Sequence, residues 1–503
     1  MMLQSLLKGL GIKNTTGPLT SDIKGIAYDS RLVGPGFVFV AVKGFTFDGH
    51  DFIKDAIDRG SAAIVTEYAV EKTGAIDLAA QGRTAFIEVS DSREALALIS
   101  AAYYGHPSRR LSLIGITGTN GKTTTSFITK SIIDAGGNRT GLLGTICYMT
   151  GKQPLTSVNT TPESLDLQRY LNEMADNNIT YSVVEVSSHA MTLKRIEGCF
   201  FNVAAFTNFT QDHLDFHETM DEYFLAKSTI FSYLKNGGTA VLNVDDPALR
   251  QFAMTLNCNV ITCGIEQDAL IRAENIEIGE KNILDNGKTV KYGIAFDVCT
   301  PGSRFRVRSR LTGRMNVYNI LLSAGIARAL GISEEVIQKG VSEAMPVEGR
   351  FETIDEGQNF RCIIDYAHTE DALKKIIEEA KLITEGKVIT VFGCGGDRDR
   401  TKRPLMGHVA DALSDHIVVT SDNPRSEEPE EIIKDIVKGI NNGGYSLIPD
   451  REEAIRYAVL MAEKGDTVLV AGKGHEDYQE IKGVRHHFSD REVLMNILKE
   501  IEK

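Results

Sequence analysis

Residues 115–124 read Gly-Ile-Thr-Gly-Thr-Asn-Gly-Lys-Thr-Thr and separate an apolar segment from an amphipathic one. Leu111 to Ile116 is short, apolar and branched, the composition of a strand buried in a parallel sheet. The spacing predicts a helix from Lys122 to Ala135, with Phe127, Ile128, Ile132 and Ile133 on one face and Gly136-Gly137 ending it. Strand, glycine turn and helix in that order commit the chain to an α/β architecture. They also leave a row of backbone N–H groups at a helix N-terminus, where phosphate oxygens bind. Lys122 is expected to reach the terminal phosphates of a nucleoside triphosphate and Thr123 to offer its hydroxyl to Mg²⁺, with Gly118, Thr119, Asn120, Gly121 and Thr124 completing the loop. The run departs from G-x-x-x-x-G-K-T at one position, because Ile116 stands where the first glycine belongs.

A chain of 503 residues has room for about three domains. The net charge of −13 argues against a general nucleic-acid binder, so anionic ligands need locally basic pockets. Seven cysteines, an odd number without a Cys-x-x-Cys pair, read as free thiols in a reducing cytosol. No apolar run reaches the roughly 18–20 residues that span a bilayer. The N-terminal MMLQSLLKGLGIKNTTG, a weak apolar stretch interrupted by Lys8, reads as an amphipathic first helix and not as a signal peptide, so a cytoplasmic protein is expected.

Three segments follow. Residues 1–108 hold short strand-like runs (36–42 and 62–66) around a helical 51–59, the pattern of a smaller α/β domain, and Tyr104-Gly105-His106-Pro107-Ser108 breaks it. From 109 to 345, buried-strand runs (LSLIGITG, YSVVEVSS, VAAFTNFT, TAVLNVDD) alternate with helical stretches, which predicts a doubly wound, P-loop ATPase-like domain with a β-rich excursion at 270–312. From 346 to 503 a second, Rossmann-like pattern has strand runs ending in RCIIDYAH, KVITVFGCGGDRDR, HIVVTSDNPR and TVLVAGKGHE. Polar residues gather after each of these runs, and ligands of open α/β sheets bind beyond strand carboxyl ends, so the four endings predict one crevice.

Glu185 closes the run Tyr181–Glu185, which should neighbour the phosphate-loop strand, and a carboxylate there can hold Mg²⁺ against the phosphates. Ser187, Ser188 and His189 follow with further donors. In 206–217, His213 and His217 stand four apart, which invites zinc, but no His-Glu-x-x-His pattern or cysteine accompanies them. A second Mg²⁺ at the triphosphate is the stronger reading, with a loop of capping residues the plain one. Lys227 lies on an apparent helix, 221–233, and nothing in its spacing gives it a role beyond a solvated charge.

Taken in order, the motifs resemble the Mur ligase family, and within it the members that add the third peptide residue in peptidoglycan synthesis. Asp29-Ser30-Arg31 and Asp48-Gly49-His50 resemble the uridine-binding N-terminal domain. Gly118–Thr123, Asn159-Thr160-Thr161, Glu185–His189, Thr207-Asn208 and Asp212-His213-Leu214-Asp215 resemble the central ATPase domain. Asn316, Asn319, Gly349-Arg350 and Asp365-Tyr366-Ala367-His368 match motifs on the nucleotide side of the last hinge, expected near Pro346, and 395–400, 422–425 and 472–476 match an amino-acid pocket.

The resemblance implies ATP-driven amide formation on UDP-N-acetylmuramoyl-L-alanyl-D-glutamate by a monomer without nucleic-acid or membrane partners. Lys122, Glu185, His213 and Lys227 would be catalytic, and two Mg²⁺ ions would be held, one by Thr123 and Glu185, the other by His213 and a carbamylated Lys227. Asn316, Asn319, Arg350, Asp365 and His368 would bind ATP, while Ser30, Asn159, Thr160, Thr161, Ser187 and Arg195 would bind the muramoyl-dipeptide. Arg398, Asp422, Asn423, Pro424, Arg425, Gly472 and Glu476 would bind the amino acid. Arg425 points to meso-diaminopimelate over L-lysine, since a guanidinium can grip a second carboxylate through two parallel hydrogen bonds. Two positions depart from the family pattern: Leu193 where glutamine is common, and Glu370 where proline usually follows Tyr-Ala-His-Thr. A folylpolyglutamate-synthetase-like ligase and a nucleotide-driven regulator are the rival readings.

Overall fold

The computed structural model describes residues 1–45, 47–73, 83–214, 216–285 and 288–501. Three large sheets organise them, beside a two-stranded ribbon of Tyr478–Ile481 and Val484–His487. The first has five strands in the order Ile12–Thr16, Ala85–Val89, Ala63–Thr66, Phe37–Val40, Gly25–Ala27, parallel except for the antiparallel Ile12–Thr16. Its longest helix, Ser92–Tyr103, starts where the Asp91 carboxylate accepts hydrogen bonds from the N–H groups of Arg93 and Glu94. The expected N-terminal amphipathic helix is a single turn, Leu3–Leu6, which buries both leucines. Gly9, at φ 84°, turns the chain out of helix before a second turn can form.

The central sheet has eleven strands. Seven run parallel: Thr140–Leu143, Tyr181–Glu185, Ser112–Thr117, Phe201–Phe206, Leu234–Asn243, Asn259–Gly264 and the start of Ile271–Asp285. The β-rich excursion is an antiparallel meander of Ile271–Asp285, Lys288–Thr300 and Ser303–Ser309 continuing that sheet. Valine, leucine, isoleucine and alanine supply the buried positions of the parallel strands because both faces are covered, and two apolar clusters fill the two sides. The phosphate-loop strand Ser112–Thr117 lies between Tyr181–Glu185 and Phe201–Phe206. The next strand in the chain, Thr140–Leu143, is placed beyond Tyr181–Glu185, whereas Phe201–Phe206 returns on the opposite side. The crevice at that reversal lies beside the glycine loop.

The third sheet orders Glu352–Ile354, Arg361–Asp365, Thr467–Ala471, Val388–Phe392, His416–Val419 and Tyr445–Leu447, all parallel but the first. The four strand endings singled out in the sequence therefore share one edge. The helix Glu370–Ile383 covers this sheet and also reaches the central assembly, where the Asp371 carboxylate accepts hydrogen bonds from Asn120 Nδ2 (3.3 Å) and Thr210 Oγ1 (2.9 Å). The N-terminal assembly meets the central one through the Tyr28 hydroxyl, which donates to Asp166 at 3.0 Å. Among the described residues no helix is long and apolar enough to cross a membrane.

Candidate active site

The glycine loop is shaped by its neighbours. Gly118, at φ 141°, has no room for a Cβ because the Thr207 hydroxyl occupies that space. A Cβ on Gly121, at φ 83°, would stand 2.5 Å from Asn319 Oδ1. The segment after Phe201–Phe206 holds the loop open: Thr119 N donates to Asn208 O (2.9 Å), Asn120 N to Asn208 Oδ1 (2.9 Å) and Thr207 Oγ1 to Asn120 O (2.5 Å). The helix Lys122–Ala135 starts at the loop with no side-chain cap, so its first N–H groups face the crevice. The predicted strand, turn and helix are all present.

A cavity of about 520 Å³ opens there. It gathers Thr119, Asn120, Gly121, Lys122, Thr123, Thr124, Thr160 and His213 from the central assembly, Asn316 and Asn319 from the helix Arg314–Ala329, and Arg350, Asp365 and His368 from beyond the hinge. Arg350 lies over the Tyr366 ring, its guanidinium carbon 4.5 Å from the centroid, and its Nε is buried without a hydrogen-bond partner. Asp365 accepts from Phe351 N (2.7 Å) and Ala367 N (2.8 Å), and burial raises its carboxyl to about 6. Burial lowers His368 below the ordinary histidine range.

Glu185 sits beneath this cavity, fully buried. Its Oε2 accepts from Thr123 Oγ1 (2.9 Å) and Thr145 Oγ1 (3.0 Å), and its Oε1 from Thr145 N (3.1 Å). A Cβ on Gly144 would overlap that carboxylate. Thr160 meets Thr145 hydroxyl to hydroxyl (3.1 Å), Thr161 Oγ1 donates to Glu185 O (2.8 Å), and Ser187 N donates to Thr161 Oγ1 (3.1 Å). Arg195 donates to Thr161 O (2.9 Å) and Glu163 (2.6 Å), and Asn159 is bonded through its main chain to the Tyr148 hydroxyl. The structure thus brings Asn159, Thr160, Thr161, Ser187 and Arg195 to the Glu185 side of the cavity. Ser30 is separate from them, buried in the turn Ser30–Leu32 of the N-terminal assembly.

Lys227 is on the helix Met220–Ser228, after which the chain tightens into a 3₁₀ turn, Thr229–Tyr233, within the helix expected over 221–233. The side chain is enclosed, and its Nζ donates to Gly118 O at 2.7 Å. Burial, and then the Lys122 charge beside it, hold its ammonium well below the ordinary lysine range. Lys122 is lowered by burial too, and its Nζ donates to Gly118 O (2.9 Å) and Thr119 O (2.8 Å). Tyr223 lies between Lys227 (4.6 Å from Nζ to ring) and His213 (6.1 Å between ring centroids). His213, at φ 53°, faces Asp212 at 3.3 Å, and desolvation lowers it below the ordinary histidine range against the opposing pull of the Asp212 charge. Asp215 lies outside the described residues.

A second polar cluster forms where Thr467–Ala471 and His416–Val419 end. Asn423 Nδ2 donates to Glu476 Oε2 (2.8 Å), and the fully enclosed Lys473 bonds both Asn423 Oδ1 (3.3 Å) and Glu476 Oε2 (3.2 Å). A Cβ on Gly472 would come within 2.6 Å of Asp422 Oδ2. Arg425, at φ 53° and following Pro424, is pinned by its N–H on Glu480 O (2.9 Å) and its Nη1 on Gly396 O (2.6 Å). Arg398 is exposed, and Gly395 stands between the two arginines, its Cβ direction 2.9 Å from Arg425 Nη1 and 3.8 Å from Arg398 Cγ. The Tyr366 hydroxyl, donating to Glu476 at 3.3 Å, links this cluster to the cavity. Across the hinge, a Cβ on Gly349 (φ 64°) would collide with the His475 backbone nitrogen.

Sequence reasoning missed several lining residues. Asp245 accepts from the N–H groups of Ile265, Glu266 and Gln267 and from the Tyr318 hydroxyl (2.9 Å), and both residues line the cavity. Asp245 lies two residues beyond the buried strand Leu234–Asn243, so the strand-end argument applied to TAVLNVDD could have found it. Lys375 and Glu379 had no such signal, because only the packing of Glu370–Ile383 across the crevice brings them there.

Three family descriptions match the chain: "Mur ligase family, catalytic domain" over 22–104, "Mur ligase middle domain" over 116–327 and "Mur ligase, glutamate ligase domain" over 349–474. A relative from Bacillus licheniformis, named UDP-N-acetylmuramoyl-L-alanyl-D-glutamate--2,6-diaminopimelate ligase, is 44% identical over all of both chains. One of the same name from Clostridioides difficile is 40% identical over 99% of each. A solved structure titled with that ligase name superimposes with a TM-score of 0.68 at 29% identity, covering 100% of this chain and 99% of that one. The MurF ligase of Thermotoga maritima in complex with ADP shares the fold, with a TM-score of 0.63 at 21% identity over 95% and 98% of the two chains. With relatives matching end to end and the family descriptions covering most of its length, this chain belongs to the Mur ligase family.

Proposed function

We propose that this chain joins meso-diaminopimelate to the D-glutamyl side chain of UDP-N-acetylmuramoyl-L-alanyl-D-glutamate, with ATP converted to ADP and phosphate, as a step in making peptidoglycan for wall growth, cell shape and division. The glutamyl carboxylate oxygen attacks the γ-phosphorus, and the bond to the β-phosphate oxygen breaks, giving an acyl phosphate and ADP. The amino nitrogen then attacks the acyl carbon, loses a proton, and phosphate leaves. Lys122 and Arg350 offer positive charge to the phosphates on the two sides of the cavity, where charge forming in the transition state is best stabilised. Asn316, Asn319, Asp365 and His368 line the nucleotide side; Ser30, Asn159, Thr160, Thr161, Ser187 and Arg195 are assigned to the muramoyl-dipeptide.

The Thr123 hydroxyl and the Glu185 carboxylate, 2.9 Å apart, are hard oxygen donors that suit Mg²⁺, and they would hold one ion. His213 and Lys227, the latter as its carbamate, would hold a second. A buried, deprotonated Lys227 amine is the form that reacts with CO₂, and the product is an anionic oxygen ligand. Bound there, the ions would screen the charge that keeps a carboxylate from a triphosphate. The reading divides the chain at residues 108 and 345 into UDP-binding, ATP-binding and amino-acid-binding domains. It has the enzyme act as a monomer in the cytoplasm, where seven free cysteines, four of them buried, suit a reducing medium.

The observation that carries the amino-acid choice is Arg425, fixed in a left-handed backbone conformation beside the Asn423–Glu476 cluster. An arginine next to acidic groups matches a carboxylate and an ammonium on one carbon, the distal end of diaminopimelate, whereas lysine presents the ammonium alone. The relatives' names agree. Specificity constants for the two amino acids should differ by about 10⁴, and Arg425→Ala should collapse that ratio by harming diaminopimelate. Equal use of lysine by the wild-type protein ends the reading.

A further inference from the structure

Arg451 and Asp490 form a salt bridge with both side chains fully enclosed. Arg451 starts the helix Arg451–Met461 and Asp490 starts the last helix, Asp490–Ile501. Arg451 Nε and Nη2 each donate to the Asp490 carboxylate at 2.7 Å. Its two remaining contacts are backbone carbonyls, Ser421 O from Nη1 (3.2 Å) and Ala471 O from Nη2 (3.0 Å). Ser421 immediately precedes Asp422, and Ala471 immediately precedes Gly472, so one guanidinium spans the roots of both loops of the proposed amino-acid pocket.

The sheet does not tie those roots together. Thr467–Ala471 and His416–Val419 are not neighbours, because Val388–Phe392 runs between them. Two strand spacings separate them, about 10 Å. The Thr420–Asp422 segment crosses the end of the middle strand because Gly393 has no side chain there: a Cβ would stand 2.3 Å from Thr420 O and 3.0 Å from Ser421 C. Past the main-chain bond from Thr420 N to Phe392 O (3.0 Å), side chains span the gap.

We propose that Arg451, oriented by Asp490, is a positioning residue of the amino-acid pocket: it fixes the distance between the Asp422 and Glu476 loops and keeps a permanent cation beneath their two carboxylates. The inference rests on the amino-acid pocket assigned above. The charge of Arg451 is attracted by Asp422 and Glu476 as well as by Asp490. Two acids that must both face one incoming ammonium repel each other, and a buried guanidinium offsets that repulsion without occupying the pocket. Asp490 aims the guanidinium edge at the carbonyls, a fork geometry that an ammonium cannot reproduce.

The test uses the full-length protein with ATP, the UDP-linked acceptor and whichever amino acid the wild type uses, so that a wrong amino acid fails at the wild-type step and leaves Arg451 to be judged separately. Arg451→Lys and Asp490→Asn should raise KM for the amino acid about 10-fold or more while KM for ATP and the acceptor stays within about two-fold. A folded variant with unchanged amino-acid KM, or with all three constants raised alike, overturns the proposal. Hydrogen exchange on the wild-type protein decides the matter even if neither variant folds. Saturating amino acid should slow exchange at 451–455 and 490–494 together with 421–423 and 471–473, and an ATP analogue alone should not. Protection confined to the two pocket loops overturns it.

Discussion

The Glu379 carboxylate closes the N-terminus of the helix Arg314–Ala329, accepting from Arg314 N at 2.7 Å and Met315 N at 3.3 Å. Glu379 belongs to Glu370–Ile383, which packs on the third sheet, so this cap is supplied across the crevice to the helix that carries Asn316 and Asn319. Losing an N-cap costs about 0.5–2 kcal/mol. In Glu379→Ala that cost falls on the arrangement in which the two assemblies share the nucleotide cavity. KM for ATP should rise about fivefold, with the thermal midpoints of the separate assemblies little changed. Steady-state kinetics at saturating acceptor measures it, and an unaltered KM would show that the cap does not hold the cavity together.

Lys122→Ala and Glu185→Ala should each lower kcat by about 10²–10³ or more while circular dichroism stays native. Gly144→Ala should reproduce much of the Glu185 defect without touching a reactive group, because its Cβ claims the space of the carboxylate. Near-normal turnover in either of the first two variants contradicts the site assignment. A normal Gly144→Ala enzyme would mean that the carboxylate has freedom to move.

Lys227→Ala should be almost inactive and should partly recover when a short carboxylic acid is supplied to stand in for the carbamate. Recovery should saturate with acid concentration and be absent with an alkylamine. An electron-density map of the nucleotide-bound enzyme with an unmodified amine still on Gly118 O would remove the carbamate from the account.

Acid should loosen the pocket loops through His475. Burial, and then the charges of Arg350 and Lys473, depress this imidazole to about 4. As pH falls from about 6.5 to 4 the unfolded chain takes up the proton and the folded one resists, so stability present above 6.5 drains away, by about 3 kcal/mol at most. Asp365 acts in the opposite sense: raised to about 6, it favours the folded state most below the ordinary carboxylate range, and that contribution is lost as pH climbs through 6. His475→Gln should flatten the decline in melting temperature between pH 6.5 and 4.5. Parallel curves for wild type and variant would assign the acid sensitivity elsewhere, with His213 the next group to examine.

Much of this architecture could be read along the chain because it depends on local periodicity. The branched run 111–116 and the amphipathic 122–135 predict a strand and a helix, and the structure contains Ser112–Thr117 and Lys122–Ala135. Glu185 could be placed next to the phosphate loop because strand-end logic needs only neighbouring parallel strands. Lys227 could not, since a lysine on a short helix reads as solvated until tertiary packing encloses it. Arg451 and Asp490 were silent for the same reason: two charges 39 residues apart become one buried pair only once their helices dock. The N-terminal helix expected from apolar spacing is present but confined to Leu3–Leu6, because the chain leaves helical geometry at Gly9.

Gly349 and His475 leave no free volume between the segment leading to Arg350 and the loop that follows Thr467–Ala471. The residue after the first is Arg350, at the nucleotide cavity, and the residue after the second is Glu476, in the other cluster. A displacement of the Gly349 backbone toward that loop would therefore push on the backbone that carries the second cluster, as meshed teeth turn one wheel with another. No side chain fits at Gly349, so the contact is backbone against backbone, and a change of salt leaves it in place.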